Sequence, residues 1–188
     1  MFSGRPVHFF RLEDDACPNS KDQPLATRSA YSLDTRLGEG SVGVVFSATI
    51  KSTGKRVAIK KIDVEDSNSE AKYYAENNFV DEVLVVKQLN HPHIVQTFEC
   101  FGEKKTFYFV MELCVCDLWD YIEKKENGGQ REGLPEKEAV EKIRDLGEAV
   151  KYCHSLNFVH CDIKCENVLV DAKGEGKAER LQRFNSLA

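Results

Sequence analysis

Between Tyr31 and Ile62, apolar and β-branched residues gather in three short runs, Tyr31 to Leu37, Val44 to Ile50 and Arg56 to Ile62. Gly-Glu-Gly and Ser-Thr-Gly-Lys separate them, a pattern that predicts three antiparallel strands. From about Glu70 to Leu89 the spacing changes, with Phe79, Val83 and Val86 falling on one helical face, and His91-Pro92 stops that helix. Ile94 to Phe101 and Thr106 to Glu112 predict two further strands around the polar turn Gly102-Glu103-Lys104-Lys105. The expectation is a five-stranded antiparallel sheet with one helix. After Glu112 the pattern turns helical, with a short piece near Leu118 to Lys125 and a long helix opened by Leu134-Pro135-Glu136. Ala139, Ile143, Leu146 and Val150 line one face of the long helix, and that face needs cover. The polar stretch 172–188 offers only Leu181, Phe184 and Leu187 for the purpose. The class is α+β.

Composition narrows the picture without changing it. Of 188 residues, 41% are hydrophobic and 30% charged, the balance of an ordinary globular chain. A formal net charge of -5 argues against a nucleic-acid partner, which calls for a clustered basic excess. Seven cysteines, an odd number without Cys-x-x-Cys spacing, read as reduced thiols. Residues 1–30 mix Phe9, Phe10 and Leu12 with charges and prolines, so they lack the apolar stretch of a signal peptide and read as a mobile extension. No apolar run reaches membrane-spanning length, so no membrane is expected and a cytoplasmic or nuclear setting follows.

The candidate chemistry begins at Gly38-Glu39-Gly40-Ser41-Val42-Gly43-Val44-Val45, which fits G-x-G-x-x-G-x-V. Glycines let backbone amides approach phosphate oxygens that a Cβ would hold away. A dinucleotide fold would need a helix after the third glycine; the strand-like Val44 to Ile50 makes the glycines cap a hairpin instead. In Val57-Ala58-Ile59-Lys60, Lys60 shares the side of the strand with Ala58 while Lys61 faces the other way. A lone strand lysine is usually solvated. Glu82 changes that reading, because it lies on the apolar face of its helix, where a carboxylate needs a cation, and Lys60 is the natural one.

His160-Cys161-Asp162-Ile163-Lys164-Cys165-Glu166-Asn167, followed by Val168-Leu169-Val170, suits a tight loop running into a strand. Phosphoryl transfer needs a carboxylate for the substrate hydroxyl proton, a cation for the moving phosphoryl and an amide oxygen for Mg²⁺. Asp162, Lys164 and Asn167 supply these groups. A zinc site of His154, His160, Cys161 and Cys165 has suitable ligand types but no standard spacing.

The glycine loop, Val-Ala-Ile-Lys, Glu82 before His91-Pro92, and the loop from His160 to Asn167, in that order, resemble the eukaryotic protein kinases over Tyr31 to Asp171. Lys164 two residues after Asp162 is the serine/threonine type, and Asp-Ile-Lys-Cys-Glu-Asn is similar to testis-specific and calcium/calmodulin-type members. The resemblance implies an N-terminal lobe over 31–112 and the beginning of a helical C-terminal lobe over 113–171, with 172–188 a divergent tail. It implies ATP and Mg²⁺ as cofactors and a protein substrate. Gly38 to Gly43, Lys60 and Glu82 would serve the phosphates. Leu37, Val45, Ala58 and Leu169 would hold the adenine ring, with Met111 as gatekeeper and Glu112 to Cys114 as hinge.

Three departures accompany the resemblance. Val42 stands where an aromatic often shields the phosphates, and Cys161 replaces an arginine that reads activation-loop phosphate. Third, no aspartate follows Asp171, so the Asp-Phe-Gly position falls on Arg180-Leu181-Gln182, and a cation there opposes metal binding. The expectation is a kinase shortened at its C-terminal end by a splice variant, early stop or incomplete gene model. Its turnover would be impaired; the alternative is a fragment that binds nucleotide, or a partner through the uncovered helix face, without catalysis. A fragment unable to fold alone is the third possibility.

Overall fold

The computed structural model describes residues 27–40, 43–63, 89–103, 105–125, 133–160, 162–174, 176–178 and 185–186. Two compact units divide the chain, one of residues 1–75 and 97–111, the other of residues 76–96 and 112–188. The helix expected between Glu70 and Leu89, with Glu82 on it, lies outside the described residues except for Leu89, as do Ser41, Val42, Cys161 and Arg180 to Gln182.

In the first unit, strands β1 (Tyr31–Gly40), β2 (Gly43–Ile50), β3 (Arg56–Asp63), β4 (Thr97–Glu103) and β5 (Thr106–Met111) form an antiparallel sheet in the order β1-β2-β3-β5-β4. The glycines close the β1–β2 hairpin as expected, with Gly40 opposite Gly43. Ser-Thr-Gly-Lys makes the β2–β3 turn, where Gly54 takes φ 71°, a left-handed conformation that costs glycine nothing. β1 slips register between Leu33 and Arg36. There the buried Ser47 hydroxyl accepts from the Thr35 N–H at 3.1 Å and lies 3.3 Å from its carbonyl, standing in for ladder bonds lost at the irregularity.

One apolar cluster of this unit gathers Tyr31, Ala48, Val57, Ile59, Phe101, Tyr108 and Val110. Its rings stack in sequence, Tyr31 on Phe101 at 5.9 Å and Phe101 on Tyr108 at 4.9 Å between centroids. Alternation along β3 and β5 puts Ala58, Lys60, Ile62, Phe109 and Met111 on the other face, and all five are buried as well.

β4 begins at Thr97, three residues later than the apolar run from Ile94 suggests. Ile94 instead closes a turn on the His91 carbonyl at 3.1 Å and packs with Leu89, Ala149 and Cys153 in the second unit. Apolar character reported burial correctly there but not the element receiving it.

The second unit contains α1 (Leu118–Lys125) and α2 (Glu136–Ser155), both close to their expected ranges. Glu136 and Glu138 in the first turn of α2 complement the helix dipole. Asn157, at φ 62°, ends the helix, and its N–H donates to the His154 carbonyl at 3.0 Å. Short strands flank the helices: β6 (Cys116–Asp117), β8 (Val168–Val170) and β9 (Gly176–Ala178) make one sheet, and β7 (Phe158–Val159) pairs with β10 (Asn185–Ser186).

The face of α2 expected to need cover is split. Leu146 packs against the Leu89–Ile94–Ala149–Cys153 cluster, whereas Ile143 remains open to solvent. The buried ridge is Lys142, Ala149 and Cys153, where a lysine hides the helical spacing from an apolar count. Lys142 reaches over the Tyr121 ring at 5.6 Å, so its stem is covered and its charge partnered.

Candidate functional site

Lys60 lies on the inner run of β3, flanked across the ladder by Val45 and Phe109, and is only 5% exposed. The same face carries Ala58 and Met111, 7% and 8% exposed. A cation amid that apolar surface is costly unless a charge-bearing partner or ligand meets it. Lys61, by contrast, points to the opposite face and bonds Asp63 at 2.6 Å, which also accepts from the Thr106 hydroxyl at 2.6 Å. At the hairpin, Leu37 is exposed and Glu39 pairs with Arg36. A Cβ added to Gly38 would meet nothing within 4 Å, whereas one on Gly43 would overlap the Lys61 carbonyl oxygen. Close strand approach therefore requires glycine at position 43, whereas Gly38 fronts open space.

In the second unit the loop after β7 folds back on itself. The Asp162 N–H donates to the His160 carbonyl at 2.9 Å, and a 3-10 turn at Cys165–Asn167 carries the chain into β8. That turn brings Asn167 back to Asp162: its Nδ2 lies 2.8 Å from the Asp162 carboxylate Oδ2 and 2.8 Å from the Asp162 carbonyl. An amide that donates through nitrogen keeps its oxygen for a cation. Lys164 Nζ lies 3.4 Å from the same Oδ2, and both side chains are about half exposed, at 49% and 57%. Asp162, Lys164 and Asn167 thus converge on one solvent-facing point, a carboxylate between a cation and an amide.

Directly after β5, Glu112 is held on several sides. Its N–H donates to the Gln96 carbonyl at 2.9 Å, its Oε1 accepts from the Gln96 N–H at 2.8 Å, and its Oε2 accepts from Lys177 Nζ at 2.8 Å. Lys177 also lies 3.8 Å from Asp171 Oδ2. Burial works against the Lys177 ammonium, but the Glu112 hydrogen bond and the charges of Glu112 and Asp171 outweigh it and hold its pKa above the ordinary lysine value. Farther along, the Val115 N–H donates to the Val170 carbonyl at 2.8 Å, so the segment from Glu112 to Val115 is tied at both ends. Cys116, in β6, has its thiol pKa raised mainly by burial, which leaves it a weak nucleophile.

Comparison with known proteins decides what these parts belong to. The protein kinase domain family matches residues 31–181. The chain belongs to the protein kinase family. Among relatives, this kinase-family chain is 38% identical over 152 residues to testis-specific serine/threonine-protein kinase 1 of Mus musculus, covering 80% of this chain and 39% of the relative. It is 37% identical over 149 residues to serine/threonine-protein kinase 33 of Mus musculus, with 79% and 28% covered. To calcium-dependent protein kinase 5 of Plasmodium berghei it is 36% identical over 141 residues, with 74% and 23% covered. The chain therefore spans well under half the length of each of these kinases.

Motif reasoning named Asp162, Lys164, Asn167, Lys60 and Glu112 as candidates but did not join Glu112 to Lys177 and Asp171. A single signal for it existed: one lysine inside a short strand, six residues after an aspartate and across a turn from it. No helix among the described residues of this kinase-family chain is long and apolar enough to cross a membrane.

Proposed function

We propose that the chain binds ATP and transfers its terminal phosphoryl group to serine or threonine hydroxyls of a protein. The Asp162–Lys164–Asn167 convergence is the observation that carries this reading. Asp162 orients the attacking hydroxyl and accepts its proton, and Lys164 meets the charge on the moving phosphoryl group. Asn167 offers an amide oxygen to Mg²⁺, which when bound would neutralise charge on the phosphate oxygens. The buried Lys60 takes the inner phosphates, and the backbone of Gly38 to Gly43 covers them. Glu112 to Cys114 contact adenine, with Leu37, Val45, Ala58 and Leu169 against the ring.

A second reading, nucleotide binding without turnover, is favoured by one feature: residues 172–188 contain no aspartate to serve as a metal carboxylate beside Asn167. The two readings part in one experiment. The purified chain is titrated with Mg-ATP in a thermal-shift assay beside Lys60→Met, then assayed for phosphate transfer to a serine/threonine peptide beside Asp162→Asn. Ligand binding to the native state raises the melting temperature, and Lys60→Met should abolish that rise. Turnover that Asp162→Asn lowers by about 10²-fold or more supports transfer. Binding without turnover selects the second reading, and no response to ATP overturns both.

A further inference from the structure

We infer that Lys177 is a positioning residue for adenine recognition, fixing the Glu112 to Cys114 segment through the Glu112 carboxylate. This rests on the assignment of that segment to adenine in the proposed function. Contacts to a purine edge come from backbone groups, so their strength depends on the orientation of the peptide planes. Glu112 sets the first of those planes, and it is fastened by its backbone N–H on the Gln96 carbonyl and by its side chain. Oε1 is taken by Gln96 and Oε2 by Lys177, each at 2.8 Å. Packing does not do this work, since a cavity of ≈ 130 Å³ bordered by His91, Gln96, Glu112 and Lys177 lies beside the side chain. Without the ammonium, the Glu112 carboxylate keeps only its Gln96 anchor and has room to turn.

Lys177 is itself well anchored. In the β8–β9 ladder it lies opposite Leu169, the residue proposed beneath the adenine ring. Its side chain is 13% exposed and reaches Glu112 and Asp171 from that fixed base. The β8–β9 ladder bearing the proposed floor of the ring is therefore coupled to the segment proposed at the ring's edge by this hydrogen-bonded ion pair, beside the Val115–Val170 backbone bond. A charge-assisted bond of this kind is stronger and more directional than a neutral one.

The test compares wild type with Lys177→Met, Lys177→Arg and Glu112→Gln in the full chain. Mg-ATP affinity is measured by calorimetry, and amide ¹H–¹⁵N shifts of Leu113 and Cys114 are recorded without nucleotide. Lys177→Met should weaken Kd about tenfold, the size of one lost charge-assisted hydrogen bond, and move both amide signals. Lys177→Arg should restore most of each. Glu112→Gln keeps an oxygen for Gln96 but weakens the pull on Lys177, so it should shift Kd in the same direction even if Lys177→Met does not fold. Wild-type Kd in both Lys177→Met and Glu112→Gln, or in Glu112→Gln alone where Lys177→Met does not fold, overturns the inference while leaving ATP binding standing. Absence of ATP binding in wild type overturns both.

Discussion

In the sheet unit Ala48, Val57, Ile59 and Val110 are fully shielded, whereas in the helical unit Val140 and Ile143 stand 55% and 69% exposed along α2. Both units draw on similar apolar residues; connectivity separates them. β1, β2 and β3 are joined by short turns, so each strand finds its partner within a few residues, and β5 closes the group against β3. A helix of 20 residues presents a surface all round, and only elements elsewhere in the chain can cover its far side. Among the described residues, Leu89 and Ile94 cover the flank of α2 that carries Ala149 and Cys153. Local pairing builds β1 to β3 and leaves β5 as the longer-range closure, while a helix core depends wholly on distant chain.

The largest effect should come from opening the sheet core. Ile59→Ala removes a fully shielded side chain and should cost about 2–5 kcal/mol in chemical denaturation. A loss below about 1 kcal/mol would mean that this core is looser than its burial indicates. A smaller effect should appear on mild acidification, in the helical unit. Burial, then the charge of His93, depresses the His91 pKa from its ordinary 6.5, with Glu148 opposing. Because the folded value is the lower one, the stabilising contribution is complete above the ordinary value and is lost as pH falls through the folded one. Melting temperature should therefore drop on acidification below about pH 6.5, and His91→Asn should flatten that slope while keeping an acceptor for the His93 N–H. The smallest effect on stability belongs to Ile143→Lys, within about 0.5 kcal/mol, with reduced self-association in light scattering. A cost as large as that of Ile59→Ala would show that the outer face of α2 is covered after all.

The sheet was legible because period-two alternation and turn chemistry are local signals, and all five strands were found, with β4 misplaced at its start. Ile94 misled because burial against α2 and burial in a strand look alike in an apolar run. The Asp162 loop was legible because its three groups lie within six residues. Lys177 and Glu112 meet across 65 residues, a contact that no local spacing announces. The buried Lys142 was hidden for another reason: its apolar stem does the packing while its name counts as charge.

Gly43 bears on how much a glycine motif can tell about ancestry and loss. Its hydrogen is demanded by the neighbouring strand's backbone at Lys61. Selection on folding alone would preserve it in a descendant that had given up nucleotide entirely. Gly38, where a side chain would project into open space, carries no such debt to the sheet. In homologues drifting away from catalysis, substitution should reach Gly38 long before Gly43, and the first glycine is the better witness to a retained ligand.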